Sequence, residues 1–100
     1  MEKVTKEKLK HYFDISKEAL ANIRAKTTPG KEKEAKEVIE MVECYVKDAH
    51  YFEKKGDMVN AFGSLSYAYG WIDCAARLGI FKVTDRRLFT VDPEAKEDKK

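Results

Sequence analysis

The sequence predicts an all-α fold: an up-and-down antiparallel bundle of three helices, closed by a short C-terminal strap or small hairpin. Two observations carry this. Apolar residues recur at helical spacing in three separate stretches, and two tight punctuations, Thr27-Thr28-Pro29-Gly30 and Gly56-Asp57, divide them. Connections that short leave successive helices side by side and antiparallel. A chain of 100 residues is a single small domain, expected over 1–91, with a charged tail over 92–100.

The first helix is predicted over 5–27. Thr5 is a natural N-cap, because its hydroxyl can accept a bond from a backbone N–H that lacks a helical partner. Leu9, Tyr12, Phe13, Ser16, Ala19, Leu20 and Ile23 then form one stripe. Pro29 disfavours helical geometry at Thr28, and Gly30 permits a tight reversal.

The second helix is predicted over 31–55. Ala35, Val38, Val42, Tyr45, Ala49 and Phe52 alternate steps of three and four, the seam of a helical bundle. On the outer side, Glu32–Lys36 and Glu43–Lys47 have the favourable glutamate-before-lysine order at i,i+4. Gly56 ends the helix, and Asp57 is placed to cap the next one.

The third helix is predicted over 58–78, with Gly79 after its end and Ile80 folding back on the last turn. Its seam reads Met58, Ala61, Phe62, Leu65, Ala68, Tyr69, Ile72, Ala75 and Leu78. Off the seam the helix is also nearly uncharged: between 58 and 78 only Asp73 and Arg77 carry charge. A helix that is apolar or small nearly all round is normally covered on both sides. Phe81 and Val83, then Leu88, Phe89 and Val91, are the candidate cover. They fit either a small hairpin turning at Thr84-Asp85-Arg86-Arg87 or an extended strap, with the strap slightly preferred. From Asp92 onward the chain is nearly all charge, and that tail is expected to be disordered.

Composition bounds the function classes. The charged fraction is 38% but nearly balanced, at a formal +2, which gives no electrostatic argument for nucleic acid by itself. Glutamine is absent, and Asn22 and Asn60 are the only asparagines, a pattern of proteins from hot environments. Cys44 and Cys74 fall on different helices at an offset that does not bring them together, so both are read as reduced thiols. The N-terminus has no signal-peptide character and no apolar run reaches membrane-spanning length. A cytoplasmic location follows as the expectation.

No residue pattern specifies a chemistry. His11 and His50 have no ligand partners at metal-binding spacing. Neither cysteine has a histidine near it in sequence, and no glycine-rich phosphate loop is present. No cofactor or metal is expected, and no catalytic residue is assigned. The candidate interaction surface is the outer face of the third helix, Tyr67, Gly70, Trp71, Asp73 and Cys74. There Trp71 would act as an aromatic anchor and Asp73 as the orienting polar group. The competing reading covers Trp71 with the strap and pairs Asp73 with Arg77.

The runs Asp48-Ala49-His50-Tyr51-Phe52, Gly56-Asp57 and Ala61-Phe62 resemble the small, mostly archaeal domains of domain of unknown function family 357. So do Tyr67-Ala68-Tyr69-Gly70-Trp71-Ile72-Asp73, Leu78-Gly79 and the closing Leu88-Phe89-Thr90-Val91. The resemblance spans about residues 5–91 and implies an up-and-down three-helix bundle and an archaeal source. It implies no activity.

The function expected from these observations is a non-catalytic helical module working through protein contacts, with homodimerisation as one form. The alternative is an RNA- or ribonucleoprotein-associated accessory domain. It would use the basic face of the first helix, where Lys3, Lys6, Lys10 and Lys17 share one side. An unrecognised enzyme ranks third.

Overall fold

The computed structural model describes residues 5–83, which form three helices: α1 (Lys6–Ala25), α2 (Glu32–Lys54) and α3 (Met58–Arg77). The Thr5 hydroxyl accepts from the Lys8 N–H at 3.0 Å, the cap expected of it. Asp57 caps α3 in the same way, its Oδ1 accepting from the Asn60 N–H at 3.1 Å.

Both glycine stops are built by backbone bonds. The Gly56 N–H donates to the Glu53 carbonyl and the Asp57 N–H to that of Phe52. At the end of α3, Gly79 donates to Ala76 and Ile80 to Ala75. These paired bonds satisfy carbonyls that a helix end otherwise leaves open. Asp57 therefore closes α2 with its backbone and opens α3 with its side chain, which leaves almost no loop between the two helices.

The α1–α2 connection is a type II turn. The Lys31 N–H reaches the Thr28 carbonyl at 2.9 Å, with Pro29 and Gly30 at its centre and Gly30 at φ +90°. That corner needs a positive φ, which glycine adopts without a Cβ clash.

The helices run up, down and up. Phe13 of α1 stacks on His50 of α2, and Arg24 pairs with Glu43, so rising numbers on α1 meet falling numbers on α2. Tyr12 meets Phe62 edge-on, which places the start of α1 beside the start of α3. The α2–α3 contact is the most extensive, and α1 leans more on α3 than on α2. Alanines explain the closeness of the hairpin: Ala35, Ala49, Ala61, Ala68 and Ala75 are all buried, and small side chains bring helix axes together.

The core has two parts. One lies toward the α1–α2 connection and includes Leu20, Ile23, Val38, Val42, Ile72 and Phe81. The other lies toward the α2–α3 turn and holds Leu9, Ala49, Ala61 and Leu65, with Tyr12, Phe13, Phe52, Met58 and Phe62 against them. Val46 packs on both. Ser16, fully buried, lies on the α1 stripe between Leu9 of one part and Ala19 of the other.

Three expectations change. Helix α1 stops at Ala25, short of residue 27, because Lys26 to Thr28 are used in another way. The Thr28 N–H donates to the Ile80 carbonyl at 3.0 Å and the Lys82 N–H to that of Lys26 at 2.8 Å. Thr27 and Phe81 thus form an isolated antiparallel bridge, and the Thr28 hydroxyl adds a bond to the Gly79 carbonyl at 2.6 Å. Backbone committed to that pairing must be extended, so the helix ends early.

Second, Leu78 is not a seam residue. It is 67% exposed, while Ile80 and Phe81 are buried in its stead. The reversal at Gly79 carries the next two side chains inward and leaves Leu78 outside.

Third, the two intrahelical pairs expected on α2 give way to other partners. Glu43 reaches across to Arg24, and the Glu32 carboxylate accepts from the Gly30 N–H at 3.1 Å. Both glutamates tie α2 to the α1 end of the bundle.

The start of the C-terminal extension pairs with the α1–α2 connection, and the turn at 84–87 on which strap and hairpin differ lies outside the described residues. Phe81 belongs to the core beneath the α1–α2 connection, not to a cover over the outer face of α3. Leu88, Phe89, Val91 and the 92–100 tail lie outside the described residues.

Candidate functional site

Tyr67, Trp71, Cys74 and Leu78 are spaced four, three and four apart along α3 and share one stripe. Their side chains face away from the buried seam that includes Ala61, Leu65, Ala68, Ile72 and Ala75. Tyr67 is 66% exposed and Trp71 39% exposed; Cys74 is exposed and free. Helix α3 therefore carries two apolar stripes, one buried and one open.

The open stripe has a companion on α2. The Tyr67 ring stacks on that of Tyr45, with centroids 5.5 Å apart and planes 24° apart. Met41, one turn before Tyr45, is half-buried. Phe13, Arg24 and Phe62 mark the opposite side of the hairpin as the one that α1 covers. The site is thus the α2–α3 face turned away from α1, with the Tyr67 ring stacked on that of Tyr45. Offset stacking of this kind contributes on the order of 1 kcal/mol beyond burial.

The five residues singled out from sequence do not stay together. Tyr67, Trp71 and Cys74 lie on the open stripe, and Gly70 borders it, exposed. Asp73 falls on the flank of α3 that carries Phe62 and Tyr69, is half-buried, and already has a polar partner. It does not share the open stripe with Trp71. Leu78 lies on the open stripe and not in the core, whereas Tyr45 packs against the core as its seam position predicts and meets the site through the Tyr67 ring. For Tyr45 the signal was present: Tyr45 and Tyr67 are each eleven residues from Gly56, and a hairpin folding there brings such a pair side by side.

Other candidate features are local. His50 stacks on Phe13 and its Nδ1 lies 3.5 Å from the Glu53 carboxylate; His11 meets Tyr12 edge-on. Among the described residues, no three His, Cys, Asp or Glu side chains converge as a metal site would require. A shallow open groove beside the α1–α2 connection is lined by Thr27, Glu32, Ala35, Lys36, Ile39 and Glu40, with charges of both signs. On α1, Lys10 is bound to Asp14 at 3.0 Å and Arg24 to Glu43, so the basic side is interrupted by carboxylates. Among the described residues, no helix is long and apolar enough to cross a membrane.

Among the described residues, a three-helix bundle with an aromatic face that no helix covers defines the class. Within that class, a family model described as "Protein of unknown function (DUF357)" matches residues 11–81, and the chain belongs to that family. No curated protein and no solved structure matches the chain.

Proposed function

We propose that this chain is a non-catalytic protein-interaction module whose contact surface is the α2–α3 face around Tyr67 and Trp71. One observation supports the reading above the rest: among the described residues, the Tyr67 and Trp71 rings are exposed on a face of α3 that carries no charge. Tryptophan and tyrosine are the residues most enriched at interface hot spots, and an exposed apolar patch is a cost unless something uses it. Self-association through this face is one form of the same function. The lysine- and glutamate-rich composition without glutamine fits a protein of a hot environment, and the family resemblance fits an archaeal source.

The RNA-associated alternative rests on Lys3, Lys6, Lys10 and Lys17, of which Lys3 lies outside the described residues. It is less supported, because Lys10 is already paired and the nearby aromatics Tyr12 and Phe13 pack against the core. Single-strand binding relies on bases stacking on exposed rings beside the cations.

The test is affinity capture from the source cells with the full-length chain and with its Trp71→Glu variant, each with and without nuclease. Protein partners that resist nuclease and disappear with the variant support the reading. Capture that nuclease abolishes and the variant retains favours RNA instead.

A further inference from the structure

We infer that the open α2–α3 face receives a partner's amphipathic helix of about three turns, apolar on one side and edged with lysine or arginine. This rests on the interaction reading above and names the chemistry of the partner. The face lies where a fourth helix would pack, opposite α1. Its α3 wall is the stripe Tyr67, Trp71, Cys74 and Leu78, whose four-three-four spacing is that of a helix–helix seam. Its α2 wall is Met41 and the Tyr45 ring stacked on Tyr67. From Tyr67 to Leu78 the stripe runs roughly 16 Å at 1.5 Å per residue, which sets the length of the guest. Docking an apolar helix face into such a groove is a standard mode of peptide recognition.

Charge selects the guest. Glu34, Glu37 and Asp48 continue the Met41–Tyr45 row at steps of three and four, and all three are exposed. None of them is in an ion pair among the described residues. The α3 wall answers with no cation of its own before Arg77. Lys33 and Lys55 stand near the two ends of the row, and Lys55 lies over the Tyr51 ring, 5.6 Å from its centroid. An aromatic groove rimmed by three carboxylates attracts a basic helix and repels a phosphate backbone, because complementary charge steers partners and like charge excludes them.

Trp71 is the only tryptophan of the chain, so its emission reports on this face without background. The probe is a synthetic leucine–lysine amphipathic peptide, titrated into the full-length protein beside the same peptide with every lysine replaced by glutamate. The lysine peptide should give a saturable blue shift and bind at least tenfold more tightly than the glutamate peptide. Adding salt should narrow the gap. The double variant Glu37→Lys with Asp48→Lys, shown to be folded by circular dichroism, should reverse the preference.

Equal binding of the two peptides, or a preference that the double variant leaves unchanged, overturns the charge-selected helix while leaving the interaction reading intact. No shift with either peptide overturns it as well. An emission change driven by protein concentration alone, with a dimer in sedimentation, makes a second copy the occupant. Tighter peptide binding by a full-length Phe89→Glu variant makes the chain's own C-terminal segment the occupant. Either result replaces the partner helix. Failure of the interaction reading itself is read separately, from capture that ignores Trp71→Glu.

Discussion

Thr27 and Phe81 pair in antiparallel fashion across the end of the bundle, and that pairing ties the C-terminal extension to the α1–α2 connection. Two backbone bonds flank the pair, Thr28 to Ile80 and Lys82 to Lys26, while the Phe81 ring is buried among Leu20, Ile23, Val38 and Ile72. The extension therefore caps the core at the end where α1, α2 and α3 would otherwise leave their apolar residues open to water.

Phe81→Ala should cost about 3–5 kcal/mol, the usual loss for a buried aromatic ring. In a chain of this size that lowers the melting temperature by upwards of about 10 °C. Thermal melts followed by circular dichroism, with exposed Lys82→Ala as the control, check it. A Phe81→Ala melt that matches the control would show that the extension contributes little to the core.

The second expectation concerns the hairpin seam. Leu65 is 1% exposed in the core part near the α2–α3 turn. Leu65→Ala should destabilise by about 2–5 kcal/mol, whereas Val59→Ala on the exposed side of α3 should stay within about 0.5 kcal/mol of the native chain. Urea denaturation measures both. Equal effects would mean that Leu65 does not lie on the packed side of α3.

The glycines of α3 separate stability from function. A Cβ added at Gly63 or Gly70 meets nothing within 4 Å, so packing among the described residues does not require either glycine. Each alanine substitution should stabilise the isolated protein by about 0.5–1 kcal/mol, because glycine gives up more backbone freedom than alanine on entering a helix. Gly70 borders the open stripe. If a partner helix passes close over it, Gly70→Ala should raise the melting temperature and weaken peptide binding in the Trp71 titration. Gly63→Ala, two turns earlier, should raise the melting temperature with a smaller effect on binding. A Gly70→Ala protein that binds as tightly as the native chain would place the contact away from that glycine.

The helices were legible in the sequence because their signals are local. Thr5 and Asp57 are caps that act within one turn, Gly56 and Gly79 are stops that act within six residues, and each stripe repeats within one helix. The antiparallel register also follows from local information, since the turn at Gly56-Asp57 is too short to allow any other. The aromatic character of the candidate site was legible for the same reason: Tyr67 and Trp71 lie one turn apart on a helix with almost no charge.

What tertiary structure decided were the contacts between residues far apart in the chain. Glu43 satisfies the local rule for pairing with Lys47, but α1 brings Arg24 within reach, and the guanidinium takes the carboxylate. Thr27 could continue a helix, but the C-terminal extension offers its neighbours' backbone groups partners that only an extended segment can meet. Leu78 keeps the seam spacing to the last, yet the reversal at Gly79 sends Ile80 and Phe81 into the space it would have filled. Asp73 and Trp71 are neighbours in sequence, and the position of α1 assigns one to its own flank and leaves the other open. A sequence specifies which face of each helix is apolar; which apolar faces find one another, and which is left over, depends on where the third helix comes to rest.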